Sequence, residues 1–135
     1  MKILRELTPS AVSLFKGKNI AFVASLMNNG SPQITPVWID YDGQFLLINT
    51  AEGRIKQGNF ARDPRVAVSV MDHNNPYNVV SVRGTVAEQT CVGADEHIDK
   101  LAKKYLVVDK YPFRTPNEKR IILKIKPENV YHIST

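Results

Sequence analysis

The chain is built around the segment Asn49-Thr50-Ala51-Glu52-Gly53-Arg54-Ile55-Lys56-Gln57-Gly58-Asn59-Phe60-Ala61-Arg62-Asp63-Pro64-Arg65. The apolar run before it, Phe45-Leu46-Leu47-Ile48, predicts a strand, and a short helical pattern within it ends at Asp63-Pro64. The first turn of a helix presents free backbone N–H groups and the positive end of the helix dipole. Because Arg54 can form paired hydrogen bonds and Lys56 adds a point charge, the turn predicts a phosphate-binding site. The alternative is a solvated basic turn.

Length and composition predict one globular domain over residues 1–135. Its 43% hydrophobic and 23% charged residues are ordinary for such a protein. No apolar run approaches the ~20 residues of a membrane-spanning helix, and the charged N-terminus lacks the apolar core of a signal peptide. Cys91 is the single cysteine, so no internal disulfide can form. We therefore expect a cytoplasmic protein with no membrane partner.

The net charge of +5 and the pI near 9.4 favour an anionic partner. A phosphorylated small molecule and a nucleic acid are the two candidates. The cations are scattered, and no RNP-type, helix-turn-helix or zinc-finger pattern accompanies them. A nucleic acid is therefore the weaker candidate, and we expect none.

Three apolar runs joined by two tight turns predict an antiparallel meander. Asn28-Asn29-Gly30 and Asp42-Gly43 are the turn signals, because Asn, Asp and Gly tolerate positive φ. Pro36 lies inside the second run, and proline cannot donate to a ladder, so that strand should be an edge, bulged or open to a ligand. The predicted strands are 20–26, 33–40 and 45–49.

The remaining patterns predict three more strands, a short final one and two helices. Thr8-Pro9 begins a helix that ends at Gly17, because Thr is a good N-cap and Pro suits the first helical position. Gly84 marks a bulge or a close approach of two backbones. The sequence thus predicts six or seven antiparallel strands in one small barrel. The later elements are strands 66–71, 79–86, 120–125 and 130–133, a helix over 95–105, and loops over 72–77 and 110–116.

Several short motifs together resemble the split-barrel flavin and deazaflavin oxidoreductases, the superfamily named after pyridoxamine 5'-phosphate oxidase. They are most similar to its small F420-dependent branch. Each motif is weak alone, but they occur in the family's order and cover roughly residues 8–127. The matching pieces are 36–43, 49–50, 53–56, 59–66, 75–77, 82–84 and Arg120.

The resemblance implies a mainly-β fold, a split β-barrel of the FMN-binding type, and a homodimer with cofactor sites at the subunit interface. The implied cofactor is coenzyme F420 or FMN, which share a ring shape and a phosphate. Arg54 and Lys56 would hold that phosphate, helped by the Thr50 hydroxyl and the amide of Asn59. Thr50 and Asn59 could equally be cap or turn residues.

The resemblance also assigns residues to the tricyclic ring of the cofactor. The strand Pro36-Val37-Trp38 would lie along the ring, and Val68-Ser69-Val70 would support it from behind. The loop around Tyr77 would come from the second subunit, where its aromatic ring could stack on the cofactor or substrate. Trp38 and Tyr77 could equally be core residues.

The implied reaction is hydride transfer between the cofactor ring and a small conjugated or heteroaromatic substrate. The cofactor supplies that chemistry, so no residue is nominated as catalytic. True pyridoxamine phosphate oxidases carry C-terminal residues beyond the position of Thr135, so formation of pyridoxal phosphate is not expected. The alternatives are a non-catalytic carrier of FMN, F420 or a tetrapyrrole-type ligand, and an anion-binding barrel with no redox role.

The three histidines do not predict a metal site. His73, His97 and His132 show no metal-ligand spacing with Cys, Asp or Glu. We interpret each as a surface or structurally bonded histidine. The sequence also contains no Gly-rich nucleotide motif, and no Ser-His-Asp arrangement can be argued from it.

Overall fold

The computed structural model describes residues 2–134 as one curled antiparallel sheet, a half-barrel, with three helices. Six of the eight strands in this part of the chain are long and two contain only two residues, which confirms the mainly-β split-barrel prediction. The sheet order is β3-β2-β6-β7-β8-β5-β4, and β1 pairs with β8. The elements are β1 Ile3–Leu4, α1 Pro9–Lys16, β2 Ala21–Leu26, β3 Pro32–Val37, β4 Asp40–Tyr41, β5 Leu46–Ala51, α2 Ile55–Arg62, β6 Arg65–Asp72, β7 Asn75–Thr90, α3 Ala94–Leu106 and β8 Arg120–Ile133.

The first helix and the first hairpin form as their local signals predict. Thr8 caps α1, its Oγ1 accepting from the N–H of Ala11 at 3.2 Å, and Gly17 ends the helix. Strands β2 and β3 form a hairpin closed by Gly30 at φ 86°. Strand β3 is the edge of the sheet, which confirms the position predicted from Pro36.

The predicted three-strand meander is wrong, because β3 and β5 lie at opposite ends of the sheet. After β3 the chain leaves the edge and crosses to the far end, where β4 pairs with β5 and β5 with β8. Contacts with α3 hold the crossing segment in place. The Trp38 ring stacks on Tyr105 with ring centroids 5.5 Å apart, and the Ile39 N–H donates to the Tyr105 hydroxyl at 3.2 Å. The packing of Trp38 against a distant helix is not visible in a local strand pattern.

Two predicted breaks in the later strands are also wrong. The loop predicted over 72–77 is a tight hairpin, since β6 runs to Asp72 and β7 begins at Asn75. The two predicted final strands are one strand, β8, with irregular register against β7 near Pro127. Gly84 lies at that irregularity, which confirms the predicted bulge.

The inner face of the sheet carries the main apolar core, and only part of the outer face is covered. Helix α3 covers the outer side of β5 and β8 with a second cluster that includes Ile98, Leu101 and Tyr105. The outer face of β2 and β3 is exposed, with Phe22 at 47% and Ile34 at 65% of full exposure. None of the described helices is long and apolar enough to cross a membrane.

Candidate functional site

The turn between β5 and α2 forms the N-terminus of a helix that carries cations. Helix α2 begins at Ile55 and ends before Asp63, as predicted. Arg54 is its N-cap residue and makes no side-chain capping bond, so within residues 2–134 the N–H groups of the first turn, 55–57, have no side-chain cap acceptor. Gly53 adopts φ 88° and donates to the Gln57 side chain at 3.1 Å, which shapes the turn. The Arg54 side chain is 49% exposed and can reach a ligand.

Three cations gather at this turn, and two of them share one carboxylate. Arg54 Nη2 lies 3.3 Å from Glu118, and Arg120 makes a short bond to the other oxygen of that carboxylate. Burial lowers the pKa of Lys56, and the nearby charges of Arg54 and Arg120 lower it further. With three cations and one carboxylate, two positive charges remain without a partner inside the cluster. We call Arg54, Lys56 and Arg120 the cation cluster.

Arg120 is the member of the cluster that sequence reasoning did not assign to the site. It is 96% buried, its Nε donates to the Asn49 Oδ1 at 2.8 Å, and its guanidinium lies 5.2 Å from the Tyr111 ring centroid. The signal for it was present in the sequence, because an arginine opens the apolar strand Ile121-Ile122-Leu123. Buried arginines require polar partners, so an arginine in such a run points to a charged site.

Thr50 and Asn59 occupy different surroundings. Thr50 is buried in β5, and its Oγ1 has no hydrogen-bond partner among the described residues. The Asn59 side chain is already engaged, since its Nδ2 donates to Ser25 Oγ at 2.9 Å and its Oδ1 accepts from Arg62 at 2.9 Å. Asn59 also lies in the second turn of α2, where backbone N–H groups bond within a helix. Their predicted roles toward a phosphate stay predictions.

Pro36 and Ser69 lie on the exposed outer face of the sheet. Pro36 is opposite Phe22, Phe22 is opposite Ser69, and Ser69 is opposite Ser81 in adjacent strands, so the four share one row. A shallow groove of about 450 Å³ runs beside this row over Ala24, Ala67, Arg83, Gly84 and Asn129. The outer face therefore combines apolar side chains with small polar ones.

The other residues predicted to touch the ring are divided between the core and the surface. Val37 and Val68 face the core. Tyr77 is 69% exposed near the start of β7. Trp38 packs under α3 against Tyr105 and edge-on to Tyr111, and Tyr111 in turn contacts Arg120 of the cation cluster. The structure thus places the predicted site residues in separate groups within one chain.

A buried histidine network lies beside the cation cluster. The Asn49 amide donates to the Ala94 carbonyl at 2.8 Å and contacts His97 Nδ1 at 3.1 Å, while its oxygen accepts from Arg120. This arrangement makes Nδ1 the acceptor and places the His97 proton on Nε2, which is buried without a partner among residues 2–134. No group of three or more His, Cys, Asp or Glu side chains in that range could hold a metal ion.

The protonation of His97 makes stability depend on pH. Burial lowers the pKa of His97 to about 4 from its ordinary 6.5. The unfolded chain therefore takes up this proton first, so the contribution is fully present above pH 6.5 and is lost as the pH falls toward 4. We expect the free energy of unfolding in urea to fall across this window in the wild type and to fall less in His97→Asn. An equal pH dependence of the free energy of unfolding in the two proteins would contradict this assignment. NMR of the His97 ring would show its charge directly.

Comparison with known proteins identifies the family. The family model described as pyridoxamine 5'-phosphate oxidase matches residues 7–134, and the chain therefore belongs to that flavin- and deazaflavin-type oxidoreductase family. A solved structure named F420 reductase is similar, with a TM-score of 0.78 and 28% identity over 88% of this chain and 94% of that one.

Two more distant structures have the same fold. A conserved hypothetical protein from Mycobacterium tuberculosis, Rv2991, gives a TM-score of 0.72 at 18% identity, covering 96% of this chain and 86% of that one. General Stress Protein 26 from Bacillus anthracis gives a TM-score of 0.67 at 15% identity, covering 92% of this chain and 91% of that one. At these identities the two structures show the fold alone.

The β5–α2 turn fits the phosphate of a flavin-type cofactor. The two uncompensated positive charges of the cation cluster favour the binding of an anionic phosphate group. The first turn of α2 has N–H groups without a cap acceptor, and the buried Thr50 hydroxyl at the end of β5 lacks a partner. An anion at this turn would complete bonds that the described chain leaves open.

Proposed function

We propose that this protein transfers hydride between coenzyme F420 or FMN and a small conjugated or heteroaromatic substrate. The observation that carries the proposal is the cation cluster, with its excess of two positive charges at an uncapped helix N-terminus. The 28% identity to an F420 reductase supports the same class of reaction. The family supports flavin or deazaflavin binding, and titration with each of the two cofactors distinguishes between them.

The residues of the chain would act by binding and orientation. Arg54 and Lys56 would hold the cofactor phosphate, and Arg120 would add positive potential from its buried position. The bound ring supplies the hydride chemistry. Pro36 and Ser69 would contact that ring from the outer face, and the surrounding apolar side chains would exclude water from it. No acid–base residue is assigned.

We further propose that the outer face is a homodimer interface, with the cofactor sites at the boundary between subunits. Exposed Phe22, Ile34 and Met71 make this face apolar, which favours burial against a second protein surface. A second copy would also bring a further Tyr77 to the site, as the family resemblance implies.

Substitution on the outer face tests the dimer. Phe22→Glu places a charge in the middle of the row that runs from Pro36 to Ser81, and a buried unpaired charge opposes association. We expect a dimer in the wild type and a monomer in Phe22→Glu by light scattering after gel filtration. Val92→Glu is the control, because Val92 is exposed outside this face. A wild-type monomer, or dissociation by the control as well, would reject the interface.

Titration with the two cofactors tests the function. Trp38 is the single tryptophan, and it lies two ring contacts from the cation cluster, so its fluorescence should report cofactor binding. We expect saturable quenching by F420 or FMN, and hydride transfer to an enone or quinone from the reduced form of the cofactor that binds more tightly. Tight binding with no hydride transfer to any conjugated acceptor would indicate that the protein is a non-catalytic carrier of the cofactor. Binding of neither cofactor would reject the proposal.

A further inference from the structure

Glu118 already occupies one anion position on the cation cluster. One of its oxygens contacts Arg54 at 3.3 Å, and the other bonds to Arg120. The Glu118 side chain is only 11% exposed, whereas that of Arg54 is 49% exposed. The buried partner of Glu118 is thus Arg120, and its more exposed partner is the residue proposed to bind phosphate.

The backbone holds Glu118 in this place independently of Arg54. The segment 107–119, which we call the strap, runs from α3 to β8. Asp99 on α3 anchors it by accepting from the Tyr111 N–H at 2.8 Å and from Arg114 at 2.6 Å. At its other end, the Lys119 carbonyl accepts from the Glu52 N–H at 2.9 Å, two residues before Arg54. Glu118 is therefore a pre-positioned carboxylate and not a side chain that follows Arg54.

We propose that Glu118 is an internal counter-anion of the site, which an incoming phosphate must displace from Arg54. This inference rests on the proposed role of Arg54 as a phosphate ligand. Ligand and Glu118 compete for the same guanidinium, because both are anions that use its N–H donors. Glu118 keeps its bond to Arg120 when it releases Arg54, so the buried cation stays paired while the ligand is bound. Glu118 thereby orients Arg54 in the free protein and lowers the affinity of the site for anions.

Three single variants of the full chain separate competition from general charge effects. Glu118→Gln keeps the shape and removes the negative charge. Glu118→Asp keeps a carboxylate for Arg120, two residues away, but its side chain is too short to bridge to Arg54 as well. Because Arg120 stays paired in Glu118→Asp, the test remains valid if Glu118→Gln fails to fold. Glu52→Gln is the matched control, because Glu52 lies in the same turn and pairs with Lys119 at 3.9 Å, not with Arg54. Calorimetric titration with inorganic phosphate at low salt and above neutral pH measures the affinity of each protein.

We expect Glu118→Gln to bind phosphate roughly fivefold more tightly than the wild type. Phosphate would no longer have to break a partly exposed ion pair, and such a pair contributes about this factor to the affinity. Glu118→Asp should also bind more tightly, and Glu52→Gln should stay within about twofold of the wild type. If the Glu118 variants bind no better than Glu52→Gln, or if none of these proteins binds phosphate, the inference is wrong. FMN and F420 titrations of the wild type test the proposed function separately. If the protein binds phosphate but neither cofactor, the role of Glu118 stands and the proposed redox function is wrong.

Discussion

Gly84→Ala should destabilise the fold by at least about 3 kcal/mol. A Cβ at this position would lie 2.0 Å from the Lys126 carbonyl oxygen and 3.3 Å from the Pro127 Cα, both in the neighbouring strand. These obstacles are backbone atoms, so no side-chain rotation can relieve the contact. Separation of β7 from β8 would be required, and it would break ladder hydrogen bonds on both sides of the bulge. Urea unfolding followed by circular dichroism measures the loss as a lower midpoint at unchanged slope.

Gly58→Ala is the matched control for this prediction. Gly58 lies inside α2, and a Cβ there would meet no atom within 4 Å. Alanine lowers the entropy of the unfolded chain and favours the helix, so this variant should be more stable by about 0.5–1 kcal/mol. Similar stabilities for Gly84→Ala and the wild type would show that β7 and β8 lie further apart at the bulge than the 2.0 Å contact requires.

Local chemistry predicted most elements of the fold. Three features follow from residue types with restricted or special backbone conformations. They are the Thr8-Pro9 start of α1, the edge position of Pro36 and the bulge at Gly84. Strand partners did not follow in the same way. The segment that crosses after Trp38 packs against Tyr105, 67 positions later in the chain. Because such contacts are set by tertiary packing, a run of apolar residues does not reveal which strand lies beside it.

The candidate site was predictable where charge and backbone coincide in sequence. The turn that carries Arg54 and Lys56 was located from a strand, a glycine and a helix start within a few residues. Glu118 reaches this turn from the strap and Arg120 from β8, both more than 60 positions later in the chain, and only the folded sheet brings them there. The ring residues around Pro36 and Tyr77 belong to elements that one chain leaves apart, so their assignment depends on the proposed dimer.

The double variant Arg54→Ala/Lys56→Ala should weaken cofactor binding by about 3 kcal/mol or more, roughly a hundredfold in Kd. Each charge-assisted bond to a phosphate is worth on the order of 1.5–3 kcal/mol, and the half-exposed position of Arg54 places its share toward the lower end. The uncapped first turn of α2 and Arg120 would remain, so binding should be weakened but not abolished. Fluorescence titration with FMN and F420 measures the change.

A control of equal charge distinguishes specific contacts from the overall field of the protein. Arg5→Ala/Lys103→Ala also removes two positive charges, taking the net charge from +5 to 5 − 2 = +3, but both residues are exposed and lie outside the cation cluster. Screening by salt should erase the small loss expected in this control, whereas the loss at Arg54 and Lys56 should persist because direct contacts are screened less. Unchanged cofactor affinity in Arg54→Ala/Lys56→Ala would place the phosphate elsewhere, and the excess charge of the cluster would then need another anion.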